Sequence, residues 1–199
     1  MLMKLIKMMA IAAAAFVTFS SVKAQDINDD YIRVYAGFNG FDIIDADMAA
    51  MNGFMIGGEY NLNVTNHQMP LFLSAGLEYS YNADTNNNLG IKTEKSFHAL
   101  NIPVNVSYKF GNEKFQVSPF VGQSFRTGLS FKYKVDGKEH SAYDADDANR
   151  FQLMLNAGVG LFFKKFSLTY RYMLSEIKIS SAKGADNDYS NSLAIGYSF

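Results

Sequence analysis

Few side chains in this sequence could do covalent or metal chemistry. There are three histidines, His67, His98 and His140, and no cysteine. Thiol nucleophiles, thiolate metal sites and disulfides are therefore excluded. A hydrolase needs a nucleophile, a base and an orienting acid within reach of one another. Glu139, His140 and Ser141 are only neighbours along the chain, which is not that geometry. His67 falls in a turn. His98, near the start of a strand, could act with a serine from an adjoining strand, and this is the one hydrolytic arrangement the pattern allows. The acidic runs Asp42, Asp45 and Asp47, then Asp144, Asp146 and Asp147, then Asp186 and Asp188, could offer oxygen ligands to calcium. The run at Asp144 lacks the glycine and distal glutamate of an EF-hand loop, so solvated loops are expected, with no metal, no cofactor and no catalytic residue.

The other chemically distinctive groups are charges set inside otherwise apolar stretches: Arg33, Glu59, Glu78, Lys109, Arg126, Lys132 and Arg171. Each lies on the parity opposite the apolar one in a segment of period two, the spacing of a strand with one greasy face. Eight such stretches are expected: 31–41, 53–62, 71–82, 97–110, 115–135, 151–163, 166–173 and 189–199. Most have the roughly 9–11 residues of a tilted membrane strand. Short turns (63–70, 111–114 and 164–165) alternate with longer polar connections (42–52, 83–96, 136–150 and 174–188). Pro103 and Pro119 cannot donate to a ladder, so a bulge or a break near a rim is expected at each.

Composition agrees. The formal net charge is −1, tryptophan is absent, and aromatics reach 15 %, from 12 Tyr and 17 Phe. Mean hydropathy is −0.07, too polar for membrane helices but suited to strands whose alternate residues meet lipid. No basic patch suggests nucleic acid. Residues 1–24 read as a cleavable signal peptide, with Lys4 and Lys7 ahead of an apolar core and Val22-Lys23-Ala24 before a cleavage point. Residues 25–199 then form one domain. A soluble barrel would carry its charges outside. Here they sit opposite the greasy face, whose aromatics (Tyr60, Tyr79, Tyr81, Tyr108, Phe131, Tyr133, Phe166, Tyr197 and others) are placed for two interfacial girdles. The pattern predicts an all-β, eight-stranded, antiparallel up-and-down transmembrane barrel.

The segments Leu100-Asn101-Ile102-Pro103-Val104, Ala157-Gly158-Val159-Gly160-Leu161 and Gly196-Tyr197-Ser198-Phe199 resemble those of the porin-family outer-membrane β-barrel domain, similar in size to the barrel of outer-membrane protein A. The resemblance implies residence in the outer membrane of a Gram-negative envelope, contact with its lipid and lipopolysaccharide, and a monomer. It also implies that Tyr197 and Phe199 belong to the strand read by the barrel-assembly machinery. It transfers no catalytic residue. Eight strands leave a lumen that side chains fill, so Glu59 and Glu78 are expected to pair with some of Arg33, Arg126 and Arg171 in one interior network. The expected role is structural, in envelope integrity or surface contact. The alternatives are a narrow channel for small solutes, gated by exchange of partners in that network, and a lipid-acting enzyme.

Overall fold

A computed structural model of the chain describes residues 29–43, 50–66, 68–88, 91–143, 149–175 and 188–199. The expected signal peptide, His67, Asp45, Asp47, Asp144, Asp146, Asp147 and Asp186 lie outside the described residues.

Among the described residues ten strands form one antiparallel sheet: β1 (Tyr31–Ile43), β2 (Met51–Asn63), β3 (Leu71–Asn88), β4 (Ile91–Tyr108), β5 (Phe110–Gly111), β6 (Phe115–Val135), β7 (Lys138–Ser141), β8 (Phe151–Phe163), β9 (Phe166–Ser175) and β10 (Asp188–Ser198). They make eight staves, because β4 and β5 follow one another along β6 and β7 is a short flap on the far end of β6. The sheet closes on itself: β1 pairs with both β2 and β10, and β4 pairs with β6. A row of paired residues from Ala36 reaches β6 at Thr127 one way round and at Val117 the other, a stagger of ten residues. Such a stagger is the geometric condition for closing tilted strands into a barrel.

The barrel is inverted relative to a soluble protein. Ile56, Leu77, Val121 and Ile195 are each more than half exposed, while Glu78, Asn101, Ser124 and Arg126 are at most 1 % exposed. Water outside and this polar interior would be a costly combination. Lipid outside makes both faces favourable.

Several boundaries differ from the sequence reading. The stretch 83–96, expected as a loop, continues the ladder: Ala83 to Asn88 pair with Ser96 to Ile91. The stretch 136–150 contains β7, joined to β6 by Asp136 and Gly137, both at positive φ. Asp-Gly is the two-residue hairpin signal, whose mirror-image turn matches strand twist. Strands β3, β4, β6 and β7 therefore rise beyond the barrel as a projecting sheet.

The largest correction concerns β6. His98 pairs with Ser130 but Ala99 pairs with Gly128, so Leu129 is an extra residue with no opposite number. One inserted residue exchanges the two faces of the strand beyond it. Phe131, expected on the outer girdle, is 3 % exposed and packs inside with Tyr133 against it. Lys132, expected inside, is outside and pairs with Glu139. Pro103 carries no register shift: its pairing to β3 lapses while the register on both sides is kept. Pro119 lies beside the gap between β4 and β5, where a missing N–H interrupts the ladder at the turn end. Tyr197 is not exposed, since the rings of Phe166 and Phe199 cover it at 5.3 and 5.0 Å.

Candidate functional site

Inward parity on five strands brings the interior charges together. Arg33 and Tyr35 come from β1, Glu59 from β2, Glu78 from β3, Arg126 from β6 and Arg171 from β9. Glu78 is the hub. Its carboxylate accepts hydrogen bonds from Arg171 Nη2 at 2.6 Å, Asn101 Nδ2 at 3.0 Å and the Tyr35 hydroxyl at 3.2 Å. Arg126 touches no carboxylate among the described residues. Its Nε donates to Asn101 Oδ1 at 2.6 Å, so Asn101 joins it to Glu78. Towards the turn end, Arg33 Nη2 pairs with Glu59 at 3.0 Å and its Nη1 donates to the Thr169 hydroxyl at 2.7 Å. Glycines on the same parity make room. A Cβ on Gly57 would lie 2.9 Å from the Tyr35 ring, and one on Gly76 would lie 2.9 Å from Glu59 Cβ.

The network thus has two ion pairs rather than one shared cluster. Between them a cavity of about 30 Å³ is lined by Tyr35, Glu59, Arg33, Arg171, Asn105 and Thr169, among others. That volume suits a water or two, not a column of solvent.

Both ends of the lumen carry aromatic clusters that the sequence reading did not single out. At the loop end Phe41 stacks on Phe97 at 4.9 Å, Phe97 meets Phe131 edge-on at 5.6 Å, and Tyr143 packs on Phe131 at 6.4 Å. Arg126 lies 5.3 Å over the Phe41 ring, which gives its guanidinium a second anchor. At the turn end Lys109 Nζ sits 3.7 Å from the Tyr31 ring centroid, 4.7 Å from that of Phe72 and 5.0 Å from that of Phe162. The signal for these residues was available: Tyr31, Phe97 and Phe162 share the polar parity of their strands. Large rings on that parity mark where a lumen is capped. Amides do the remaining lining, as in Asn39 with Asn82 at 2.9 Å and Asn156 with Asn105 at 3.0 Å.

Outside, His98 lies in the loop-end belt. Its Nδ1 is 2.6 Å from the Tyr79 hydroxyl and its ring 4.6 Å from that of Tyr81. Ser130 stands directly opposite across the β4–β6 ladder. His140 stacks on Tyr133 at 5.3 Å, on the projecting sheet. Among the described residues no three His, Asp or Glu side chains gather as a metal site. Among them too, no helix is long and apolar enough to cross a membrane, which has no bearing on strands.

Solved structures of similar fold are outer-membrane barrels. Neisserial surface protein A aligns with a TM-score of 0.53 at 12 % identity, over 85 % of this chain and 97 % of that one. The outer membrane enzyme PagL aligns at 0.52 and 14 %, over 85 % and 99 %. The N-terminal barrel of Pseudomonas aeruginosa OprF aligns at 0.44 and 15 %, over 88 % and 100 %. At these identities the likeness is one of fold. No curated protein sequence matches the chain. Residues 11–199 match the family model of the outer membrane protein beta-barrel domain, and the chain belongs to that family, an eight-stranded barrel of the Gram-negative outer membrane.

Proposed function

We propose that this protein is a non-catalytic, non-conducting barrel that serves envelope integrity and presents the projecting sheet of β3, β4, β6 and β7 for contact at the loop end. One observation carries the reading. The lumen is filled along its length, by a turn-end aromatic cage around Lys109, two cross-barrel ion pairs and a loop-end cluster of Phe41, Phe97, Phe131 and Tyr143. Opening a path would break both ion pairs and lift an apolar cap together. The test is planar-bilayer conductance of the refolded chain, after a heat-dependent gel shift establishes folding. Silence is expected. Discrete, reproducible channels would overturn the reading in favour of a narrow porin, with Glu59, Glu78, Arg126 and Arg171 as its gate.

A second reading, hydrolysis of lipid esters, is favoured by one feature. His98 and Ser130 face each other at the bulge, on the lipid-facing side, with Tyr79 rather than a carboxylate bonded to the histidine. PagL, a barrel of similar fold, is an outer membrane enzyme. Mass spectra of lipid A from cells expressing wild type or Ser130→Ala decide it: identical acyl patterns remove the enzyme, and a wild-type-specific loss of an acyl chain establishes it.

A further inference from the structure

We propose that the cavity between the two lumen ion pairs is a binding site for one small monovalent anion of halide size. The inference rests on the closed-lumen reading and deepens it, since in an open pore bulk water would satisfy the same groups.

Three neighbouring strands deliver the site. Arg33 comes from β1, Arg171 from β9 and Ser192 from β10, and all three line the cavity. Ser192 stands directly opposite Arg171 in the ladder of β9 and β10. The Arg33 guanidinium reaches Thr169, the inward residue next to Arg171 on β9.

The hydrogens that these groups have left over select the ligand. Arg33 directs Nη1 to Thr169 and Nη2 to Glu59, and Arg171 directs Nη2 to Glu78 and the Met55 sulfur. The Nε of each arginine and the Ser192 hydroxyl are buried without a hydrogen-bond partner among the described residues. All three residues are more than nine-tenths buried. A guanidinium N–H can only donate, and a hydroxyl can donate. Around Arg126, by contrast, the unpartnered atoms include the Gln152 amide oxygen as well as guanidinium nitrogens. That mixture of donors and acceptors suits water. The set of donors at the central cavity suits an ion that only accepts.

Charge points the same way. Among the described residues the buried cations are Arg33, Lys109, Arg126 and Arg171, against the anions Glu59, Glu78 and Asp188. A buried charge without compensation is costly, and one monovalent anion evens the count. The cavity lining itself carries two guanidinium groups and one carboxylate, Glu59, which already accepts from Arg33 and Asn61. A cavity of about 30 Å³ that holds a water or two also holds one halide ion, and it is too small for gluconate.

The experiment refolds the isotope-labelled barrel at a series of sodium chloride concentrations, with sodium gluconate keeping the ionic strength constant. Salt present during refolding needs no path into the closed lumen. Arginine Nε–H groups give their own proton–nitrogen NMR signals. Those of Arg33 and Arg171 should shift along one saturating curve, while that of Arg126, bonded to Asn101, stays in place. Bromide should shift the same two signals. Ser192→Ala removes one donor to a charged acceptor and should raise the half-saturating chloride concentration about ten-fold or more. The gel shift checks that this variant folds, and the wild-type series decides the matter without it. Signals that ignore chloride, or drift without saturating, overturn the proposal. Long-lived water in contact with both Nε–H groups in chloride overturns it too, as does an unchanged half-saturation in folded Ser192→Ala. Bilayer current is a separate readout. Channels would overturn the closed-lumen reading, whereas a silent barrel with unresponsive Nε–H signals would overturn the anion site alone.

Discussion

Glu78→Gln should be the most destabilising of the isosteric charge removals inside this barrel. The substitution keeps the shape and removes the charge. It leaves the Arg171 guanidinium, 6 % exposed, without its ion pair at 2.6 Å. The other lumen carboxylate on that side, Glu59, is already engaged by Arg33 at 3.0 Å. Leaving one member of a buried pair uncompensated costs roughly 3–5 kcal/mol. The bonds from Tyr35 and Asn101 to the hub also lose their charge assistance, which is about half the strength of each. Glu59→Gln should cost less, about 2 kcal/mol, because Arg33 keeps the Thr169 hydroxyl at 2.7 Å and lies 5.2 and 5.7 Å over the Tyr35 and Phe162 rings. The double variant Glu78→Gln/Arg171→Met removes both charges and should recover most of the loss, to within about 1 kcal/mol of wild type. Urea unfolding in lipid vesicles, followed by gel mobility and tyrosine fluorescence, measures the three variants against wild type. The reasoning is refuted if Glu78→Gln costs under about 1 kcal/mol, or if the double variant is no more stable than the single one.

Three further outcomes are expected. Lys109→Met should be neutral or stabilising by up to about 2 kcal/mol, since the ring contacts offset only part of the cost of burying an ammonium without a carboxylate; a loss above about 1 kcal/mol in the same urea assay would show the aromatic cage to be the stronger term. Deleting Leu129 should preserve the folded gel band, because Gly128 and Ser130 then follow one another opposite Ala99 and His98, with Phe131 still inward and Lys132 still outward; loss of the band would show that the bulge itself is needed. The Glu139 carboxyl, followed by its carbon NMR shift, should titrate below its ordinary value of 4.5, because Lys132 and then Lys134 favour the anion. The ion pair's contribution is therefore complete above pH 4.5 and is lost as pH falls through the lowered value. Lys132→Gln should move the midpoint back up, and an unmoved midpoint counts against the contact.

How much of this was legible before the structure follows from what period-two alternation can and cannot encode. Parity assigns a residue to a face only while register holds. It therefore placed Arg33, Glu59, Glu78, Arg126 and Arg171 inside, since each lies before any irregularity on its strand. It failed beyond Gly128, where Leu129 adds one residue and nothing in the local composition marks the change: Leu129, Phe131 and Tyr133 form an unbroken alternating apolar set in the sequence. The signal lies in tertiary packing, in the small pair of Ala99 and Gly128 that lets Tyr143 fold over the mouth. A Cβ on Gly128 would collide with the Tyr143 hydroxyl. The partner of each charge was likewise beyond sequence. Arg171 and Glu78 lie on strands across the lumen, and only the ten-residue stagger brings them level.

The bulge also links the two surfaces on which the functional readings rest. By turning Phe131 inward it completes the apolar cap that closes the lumen. By the same half-turn it sends Lys132 and Lys134 outward. A barrel that kept strict alternation through 115–135 would expose aromatic rings above the belt and carry ammonium groups at its mouth. That arrangement suits a cation-lined pore, whereas the observed one suits a closed barrel. Closure and the outward placement of the two lysines are thus not independent features of this fold. A substitution that relaxes the bulge should disturb both, and one that only neutralises the two lysines should leave closure intact.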